Sequence, residues 1–244
     1  MSLRILLNGA KGRMGRAIAE ATPKMGAQIA AAIDIGDSAE AVIGGCDVVI
    51  DFSFHAATLP LARICAAHGR PLVIGTTGHD DAERAAIVAL ADRIPIVWAG
   101  NYSLGVNLLN YLVGKAARAL PDDFNPEIIE MHHNLKKDAP SGTAERLVEV
   151  IREARGLSRE QERHGRHGLV GERPSAEIGI HAIRGGDIVG DHTVIFAGQG
   201  ERLEFRHIAT DRRIFAQGAV RAALWLEGRK PGLFNMEDVL GLHD

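Results

Sequence analysis

Cysteine is almost missing from this chain: two occur in 244 residues, Cys46 and Cys65, each in an apolar stretch with no charged partner beside it. That usage excludes a disulfide framework and points to a reducing compartment, with both thiols acting as packing groups. An excess of one charge is missing too. Lys and Arg number 28 against 31 Asp and Glu, so there is no basic field to hold nucleic acid or an anionic membrane surface. No apolar run approaches the roughly 20 residues of a membrane span. The amino terminus enters Leu3-Arg4-Ile5-Leu6-Leu7 without the charged and apolar regions of a secretory leader. Cysteine and histidine at metal-ligand spacing are also lacking, and no metal is expected. What is present is a chain expected in the cytoplasm, 46% hydrophobic and 24% charged, long enough for two modest cores and suited to a small-molecule partner.

Leu3 to Leu7 runs straight into Asn8-Gly9-Ala10-Lys11-Gly12-Arg13-Met14-Gly15 and an amphipathic segment from Arg16 to about Ala21, the order strand, glycine turn, helix. Glycines there permit a tight turn and close backbone approach to a pyrophosphate seated at the helix N-terminus. The spacing is Gly-x-x-Gly-x-x-Gly, and alone it serves a ligand-free turn equally well. A second apolar run, Ala27 to Ile33, ends in Asp34, about 20 residues past the turn, where an acid hydrogen-bonds the adenosine ribose. Dinucleotide binding is therefore expected at Gly9, Ala10, Lys11, Gly12, Arg13, Met14 and Asp34. Asp34 favours NADH, because a carboxylate repels a 2′-phosphate and Ile35 brings no positive charge. Lys11 and Arg13 either keep NADPH within reach or are solvated loop charges.

Apolar strands at 46–52, 71–74 and 94–98 alternate with helical patterns at 56–67 and 80–92, which predicts a parallel, doubly wound sheet with right-handed crossovers. Gly75-Thr76-Thr77-Gly78 and Ala99-Gly100-Asn101-Tyr102-Ser103 follow two of these strands, where open α/β sheets place ligands. Backbone groups and hydroxyls at Gly75, Thr76 and Thr77 suit a nicotinamide carboxamide. After residue 101 the alternation stops. A helix over 105–120, a strand before His132 and a helix over 142–155 lead to a Gly- and Arg-rich loop from Glu162 to Arg173, read as a functional segment or a solvated excursion. Three strands follow, Ala176–Arg184, Asp191–Ala197 and Glu201–Ala209, expected to pair antiparallel with one buried face and one wet or given to another subunit. Thr210-Asp211 then starts a helix that returns to the first domain. The expected architecture is α/β: a Rossmann-type doubly wound parallel-sheet domain, 1–101 plus 211–244, with an inserted α+β domain, 102–210, for substrate and oligomer contacts, and the ligand cleft between them.

Seven of the eleven histidines lie from His132 to His207, and the richest stretch runs from Glu130 to Ala144. It holds His132-His133, Lys136-Lys137-Asp138 and Pro140-Ser141-Gly142-Thr143 at a strand-to-helix junction. The unpaired N–H groups of a helix start receive an anion such as a carboxylate, and Gly142 lets it come close. Two imidazoles titrating near neutrality and a mobile ammonium stand beside that receptor, a combination able to bind and protonate a small acid. The plainer alternative is a surface His pair followed by a solvated charged turn.

The glycine turn, Gly75-Thr76-Thr77-Gly78, the stretch Glu130-x-His132-His133-x-x-Lys136-x-Asp138-Ala139-Pro140-Ser141-Gly142-Thr143-Ala144 and Arg184-Gly185-Gly186-x-x-x-Gly190-x-His192 occur in this order. In these motifs, and over nearly its whole length, the chain resembles the dihydrodipicolinate reductase family, also called 4-hydroxy-tetrahydrodipicolinate reductase. The resemblance implies hydride transfer from NADH or NADPH to a cyclic dicarboxylate with loss of water, in lysine and diaminopimelate synthesis. It implies His132 as acid/base residue and Lys136 as proton donor. His133, Lys136, Ser141, Gly142 and Thr143 would hold the substrate, and Ala99, Gly100, Asn101 and Tyr102 would touch the nicotinamide side. A homotetramer built by pairing sheets of the second domain is implied as well. Family members commonly carry Glu then Arg where this chain has Asp34 and Ile35. A non-catalytic dinucleotide sensor, or another nicotinamide-dependent dehydrogenase of amino or keto acids, fits the nucleotide motifs equally, since fold does not settle function.

Overall fold

Strand β1 (Leu3–Asn8) shows why the first half of the molecule needs helices on two sides. Ile5 and Leu7 enter one apolar cluster and Leu6 another, all fully buried, because successive strand side chains point to opposite faces. In the computed structural model, which describes residues 2–242, the chain continues through α1 (Arg13–Lys24), β2 (Ala27–Ile33), α2 (Ala39–Val42), β3 (Val48–Asp51), α3 (His55–Ala67), β4 (Leu72–Ile74), α4 (Asp81–Val88) and β5 (Pro95–Trp98). Next come α5 (Leu104–Ala119), β6 (Asn125–His132), α6 (Gly142–Arg155), β7 (Glu162–His164), β8 (Ile178–Arg184), β9 (Gly190–Ala197) and β10 (Arg202–Ala209). The chain closes with α7 (Arg213–Trp225), β11 (Gly232–Phe234) and α8 (Met236–Leu240). It divides into two compact units, Met1–Leu104 with Arg213–Asp244, and Gly105–Arg212.

The first unit is a six-stranded sheet in the order β11-β5-β4-β3-β1-β2, parallel at every pairing. One face packs against α1, α7 and α8 through Ile18, Ala219, Val220 and Met236. The other packs against α2, α3 and α4 through Ala39, Leu61, Ala62 and Ile87. This is the doubly wound α/β architecture that alternating strands and helices require. Cys46 and Cys65 are buried free thiols in the second of these clusters. β11 and α8 carry too few residues for a periodic signal and were not anticipated. β11 extends the sheet beside β5, where Phe234 meets Trp225 edge-on at 5.1 Å.

The second unit has five strands in the order β10-β9-β6-β8-β7. Leu109 and Val113 of α5 and Leu147, Val148 and Ile151 of α6 pack on Ile128, Ile180, Val194 and Phe196 of one sheet face. Strand β6 alternates half-buried and buried along its whole length, so the opposite face, with Ile129 and Met131, is only half covered. The three late strands do not all pair antiparallel as expected. β9 does so with both β10 and β6, but β8 lies on the far side of β6, parallel to it and to β7. The crossover through α6 brings the chain back in the same direction, which is what a parallel neighbour needs.

The loop from Glu162 to Arg173 also differs from a structureless excursion. Its first three residues form β7, and two arginines tie the rest down. Arg166 donates both Nη groups to Glu127, at 3.1 and 2.7 Å, and pairs with Glu177. Arg173 Nε donates to Glu127 at 2.9 Å, and His181 Nε2 lies 2.8 Å from the same carboxylate. Among the described residues no helix is long and apolar enough to cross a membrane.

Candidate active site

In the first unit, candidate groups gather at the C-terminal ends of the parallel strands. Helix α1 starts at Arg13 rather than Arg16, so Arg13, Met14 and Gly15 form its first turn. Gly12 is the N-cap, and no side chain caps the helix, which leaves N–H groups to an anion. Gly9 has φ +79°, and a Cβ there would lie 2.2 Å from the Phe52 carbonyl oxygen; one on Gly15 would lie 2.2 Å from the Gly9 oxygen. Glycine at both positions is thus a packing requirement. Asp34 accepts from Lys11 N–H at 2.8 Å and Ile35 N–H at 2.9 Å, and these bonds, Ile35 first, hold its carboxyl below the usual range. A cavity of about 540 Å³ opens here, lined by Gly9, Gly12, Asp34, Ile35 and the apolar Phe54, Pro60 and Leu61. An uncapped helix start, backbone exposed by glycine, and a carboxylate beside an apolar slot fit an adenosine and pyrophosphate.

The remaining cofactor candidates fall in two groups. Gly100, Asn101 and Tyr102 line a cavity of about 240 Å³ with Met14 and Phe52. Thr76, Thr77, Ala99 and Gly100 line another of about 310 Å³. Two hydroxyls face inward. Tyr102 is buried, and its hydroxyl donates to the Ile74 oxygen at 2.8 Å. Thr76 donates to Asp51 Oδ2 at 2.9 Å and accepts from Ser53 N–H at 2.9 Å, which leaves exposed Thr77 as the open hydroxyl of that turn. Gly75 lies on the Phe52 ring, where a Cβ would overlap it. Asp51 was not singled out from sequence. It is fully buried, accepts from Asn8 Nδ2 at 2.8 Å, Ser53 Oγ at 2.5 Å and Thr58 Oγ1 at 2.7 Å, and so ties the glycine turn to the loops after β3 and β4.

In the second unit, alternation along β6 turns Glu130 and His132 to the buried face with Ile128. His132 Nδ1–H donates to Glu130 Oε2 at 2.6 Å. Arg184, from β8, donates to both Glu130 oxygens, at 2.8 and 2.7 Å. Burial alone would raise the Glu130 carboxyl, but Arg184 and His132 outweigh it and hold it below the usual range. Burial lowers His132, against the pull of Glu130, and the Lys136 and Arg184 charges lower it further. At neutral pH the imidazole is therefore neutral, with Nε2 as an acceptor. His192, edge-on to His132 at 5.2 Å, is pushed down to about 4, chiefly by burial.

Lys136 Nζ donates to Asp138 Oδ2 at 2.9 Å, and its charge is near enough to act on His132. His133 accepts from Arg212 Nη2 at 3.1 Å, so its proton sits on Nδ1, a buried atom with no partner. At the start of α6, Gly142 is exposed, with nothing within 4 Å of a would-be Cβ. Ser141, expected to contact the substrate, is buried as the N-cap of α6. Its N–H donates to Glu130 Oε1 at 3.1 Å, and its hydroxyl accepts from Ala144 N–H at 3.2 Å and lies 3.0 Å from His192 Nε2. The N-cap side chain thus serves the helix it caps, and Gly142 is the sterically open position at the start of α6. Glu130, Arg184 and His192 lay within the quoted motifs, but nothing in their spacing assigned them to the site.

Two adjoining family descriptions match the chain: dihydrodipicolinate reductase, N-terminus, over residues 3–102, and dihydrodipicolinate reductase, C-terminus, over residues 105–240. The chain is 54% identical over 244 residues to the 4-hydroxy-tetrahydrodipicolinate reductase of Akkermansia muciniphila, covering 98% of each protein. It is 47% identical to that of Thiobacillus denitrificans, covering 99% of this chain and 100% of the other. Among solved structures it is similar to the dipicolinate-bound dihydrodipicolinate reductase of Paenisporosarcina sp. TG-14, with TM-score 0.81, 26% identity, and 96% and 98% coverage of the two chains. A probable dehydrogenase from Thermotoga maritima, at 13% identity and TM-score 0.64 over 97% of this chain and 92% of that one, shares the fold.

Proposed function

The chain belongs to the dihydrodipicolinate reductase family, and we infer that it is an NAD(P)H-dependent reductase of 4-hydroxy-tetrahydrodipicolinate. The product is tetrahydrodipicolinate, formed with loss of water in lysine and diaminopimelate synthesis. The observation that carries this reading is the His132–Glu130–Arg184 cluster, set between the Lys136 turn and the exposed start of α6. A neutral imidazole, an ammonium and an anion receptor are the groups that a protonated, dicarboxylate-bound reduction requires.

The first unit, Met1–Leu104 with Arg213–Asp244 against the expected 1–101 plus 211–244, serves as the dinucleotide domain, with Gly9 to Met14 on the pyrophosphate, Asp34 on the ribose, and Gly75, Thr77, Ala99, Gly100 and Asn101 on the nicotinamide half. The bound dinucleotide supplies the hydride. In the second unit, Gly105–Arg212 against the expected 102–210, the Gly142 and Thr143 N–H groups, His133 and Lys136 take the carboxylates. Hydride addition leaves negative charge on the ring; Lys136 Nζ–H gives up a proton to quench it, and His132 Nε2 takes or returns a proton during loss of water. Ser141, the N-cap of α6, belongs to the same substrate-binding group. Asp34 makes NADH the preferred cofactor by repelling a 2′-phosphate, while Lys11 and Arg13 keep NADPH usable. The half-covered sheet face with Ile129, Met131 and Ile195 suits pairing between copies into a homotetramer, and the paucity of cysteine suits the cytoplasm.

The direct test supplies aspartate semialdehyde, pyruvate and the upstream synthase and follows NADH consumption by wild type, His132→Ala and Lys136→Ala. Rapid consumption by wild type alone supports the assignment. Equal rates in all three would remove the proposed site.

A further inference from the structure

Glu130 is buried with 0% exposure, and both of its oxygens are doubly engaged. Oε1 accepts from Arg184 Nη2–H at 2.7 Å and Ser141 N–H at 3.1 Å; Oε2 accepts from Arg184 Nη1–H at 2.8 Å and His132 Nδ1–H at 2.6 Å. Arg184 Nη2–H also reaches the Asp138 carbonyl oxygen at 2.8 Å, two residues beyond Lys136. The end of β6, the turn carrying Lys136 and the start of α6 thus meet on one ion pair. An imidazole donating from Nδ1 has its lone pair on Nε2. Opposite that atom lies Gly190, where a Cβ would sit 2.9 Å away, so the absent side chain leaves Nε2 its space.

We propose that Glu130, clamped by Arg184, is the positioning residue of this site, fixing His132 in the Nδ1–H form and holding it in register with the Lys136 turn and the α6 anion receptor. The charged and titratable groups around His132 are Glu130 on its own strand, Arg184 on β8, His192 on β9 and Lys136 in the turn. Glu130 is the acid among them. It alone favours the imidazolium, and it alone makes Nδ1 the protonated nitrogen of the neutral ring.

The role deepens the reductase reading and rests on it, but its test is separate. Nitrogen-15 histidine NMR across pH is recorded for wild type, Glu130→Gln and the double variant Glu130→Gln/Arg184→Met, which leaves no lone buried cation to threaten folding. The expected wild-type spectrum has His132 protonated at Nδ1. In the variants the two tautomers mix, and the His132 titration moves to lower pH because the group favouring its charged form is gone. Turnover falls roughly 10²-fold, within the range of a positioned acid–base group, and the pH limb due to His132 moves with it, while NADH affinity is unchanged. Retention of the wild-type tautomer and titration in either folded variant overturns the proposal. NMR changes as expected in a wild type that does not turn over substrate would sink the reductase reading and leave the positioning role standing.

Discussion

The two units handle charge in opposite ways. The first unit offers an anion its backbone: an uncapped helix start, a turn that tolerates no Cβ at Gly9 or Gly15, and a buried acid, Asp51, satisfied by an amide and hydroxyls. The second unit relies on charged side chains. Glu130 takes a guanidinium and an imidazole, and Glu127 takes two guanidinium groups and an imidazole. A backbone receptor is governed by space and φ; a side-chain site is governed by which charges are brought together out of water. The first should therefore fail by crowding, the second by loss of charge.

The sharpest test of that contrast is Lys136→Ala. Removing the proposed proton donor and carboxylate partner should lower kcat/KM by roughly 10²- to 10⁴-fold with NADH affinity unchanged in a fluorescence titration. A parallel loss of NADH affinity would break the division between the units. Acid should come next in size. Burial alone would raise Glu127, but Arg166, His181 and Arg173 outweigh it and hold its carboxyl at about 2. The stability it contributes is present above pH 4.5 and lost as pH falls from 4.5 towards 2, an effect on the order of 3 kcal/mol. Both tryptophans, Trp98 and Trp225, lie in the first unit, so their fluorescence should hold while hydrogen exchange in β6 and β8 accelerates over that range. Simultaneous loss would contradict the contrast.

Gly15→Ala tests crowding from the other side. Its methyl group would press on the Gly9 oxygen, costing about 1–3 kcal/mol and weakening NADH binding, while binding of a planar dicarboxylate, read by calorimetry, stays intact. The smallest effect belongs to Asp34→Ala. At this solvent-screened site, loss of one repulsive charge should change the NADH to NADPH ratio of KM values by only a few fold, on the order of the weak Coulomb interactions of water-exposed charges. A wild type that strongly prefers NADPH would refute the role given to Asp34.

The nucleotide half was largely legible in the chain, because a strand, a glycine turn and an acid past the next strand are local features set by backbone sterics. The limits of each main strand were readable to within about two residues, and α6 was read as it stands. Side-chain commitments were not. The Tyr102 phenol and the Thr76 hydroxyl are claimed by Ile74 and Asp51, and Ser141 by Glu130 and its own helix. Nothing in a residue's type says which neighbour will occupy its donor.

By itself the sequence determined the alternation of strands and helices, the glycine turn, and a stretch with His132, Lys136 and Gly142 close together along the chain. Periodicity and φ restrictions act over a few residues and leave their mark there. Only the tertiary structure decided that β8 runs beside β6, that Arg184 reaches Glu130, and that this carboxylate meets His132 Nδ1. The strand pairing and the Arg184–Glu130 ion pair join residues more than fifty positions apart, and they arise from strand order and burial, which emerge when the whole sheet has closed.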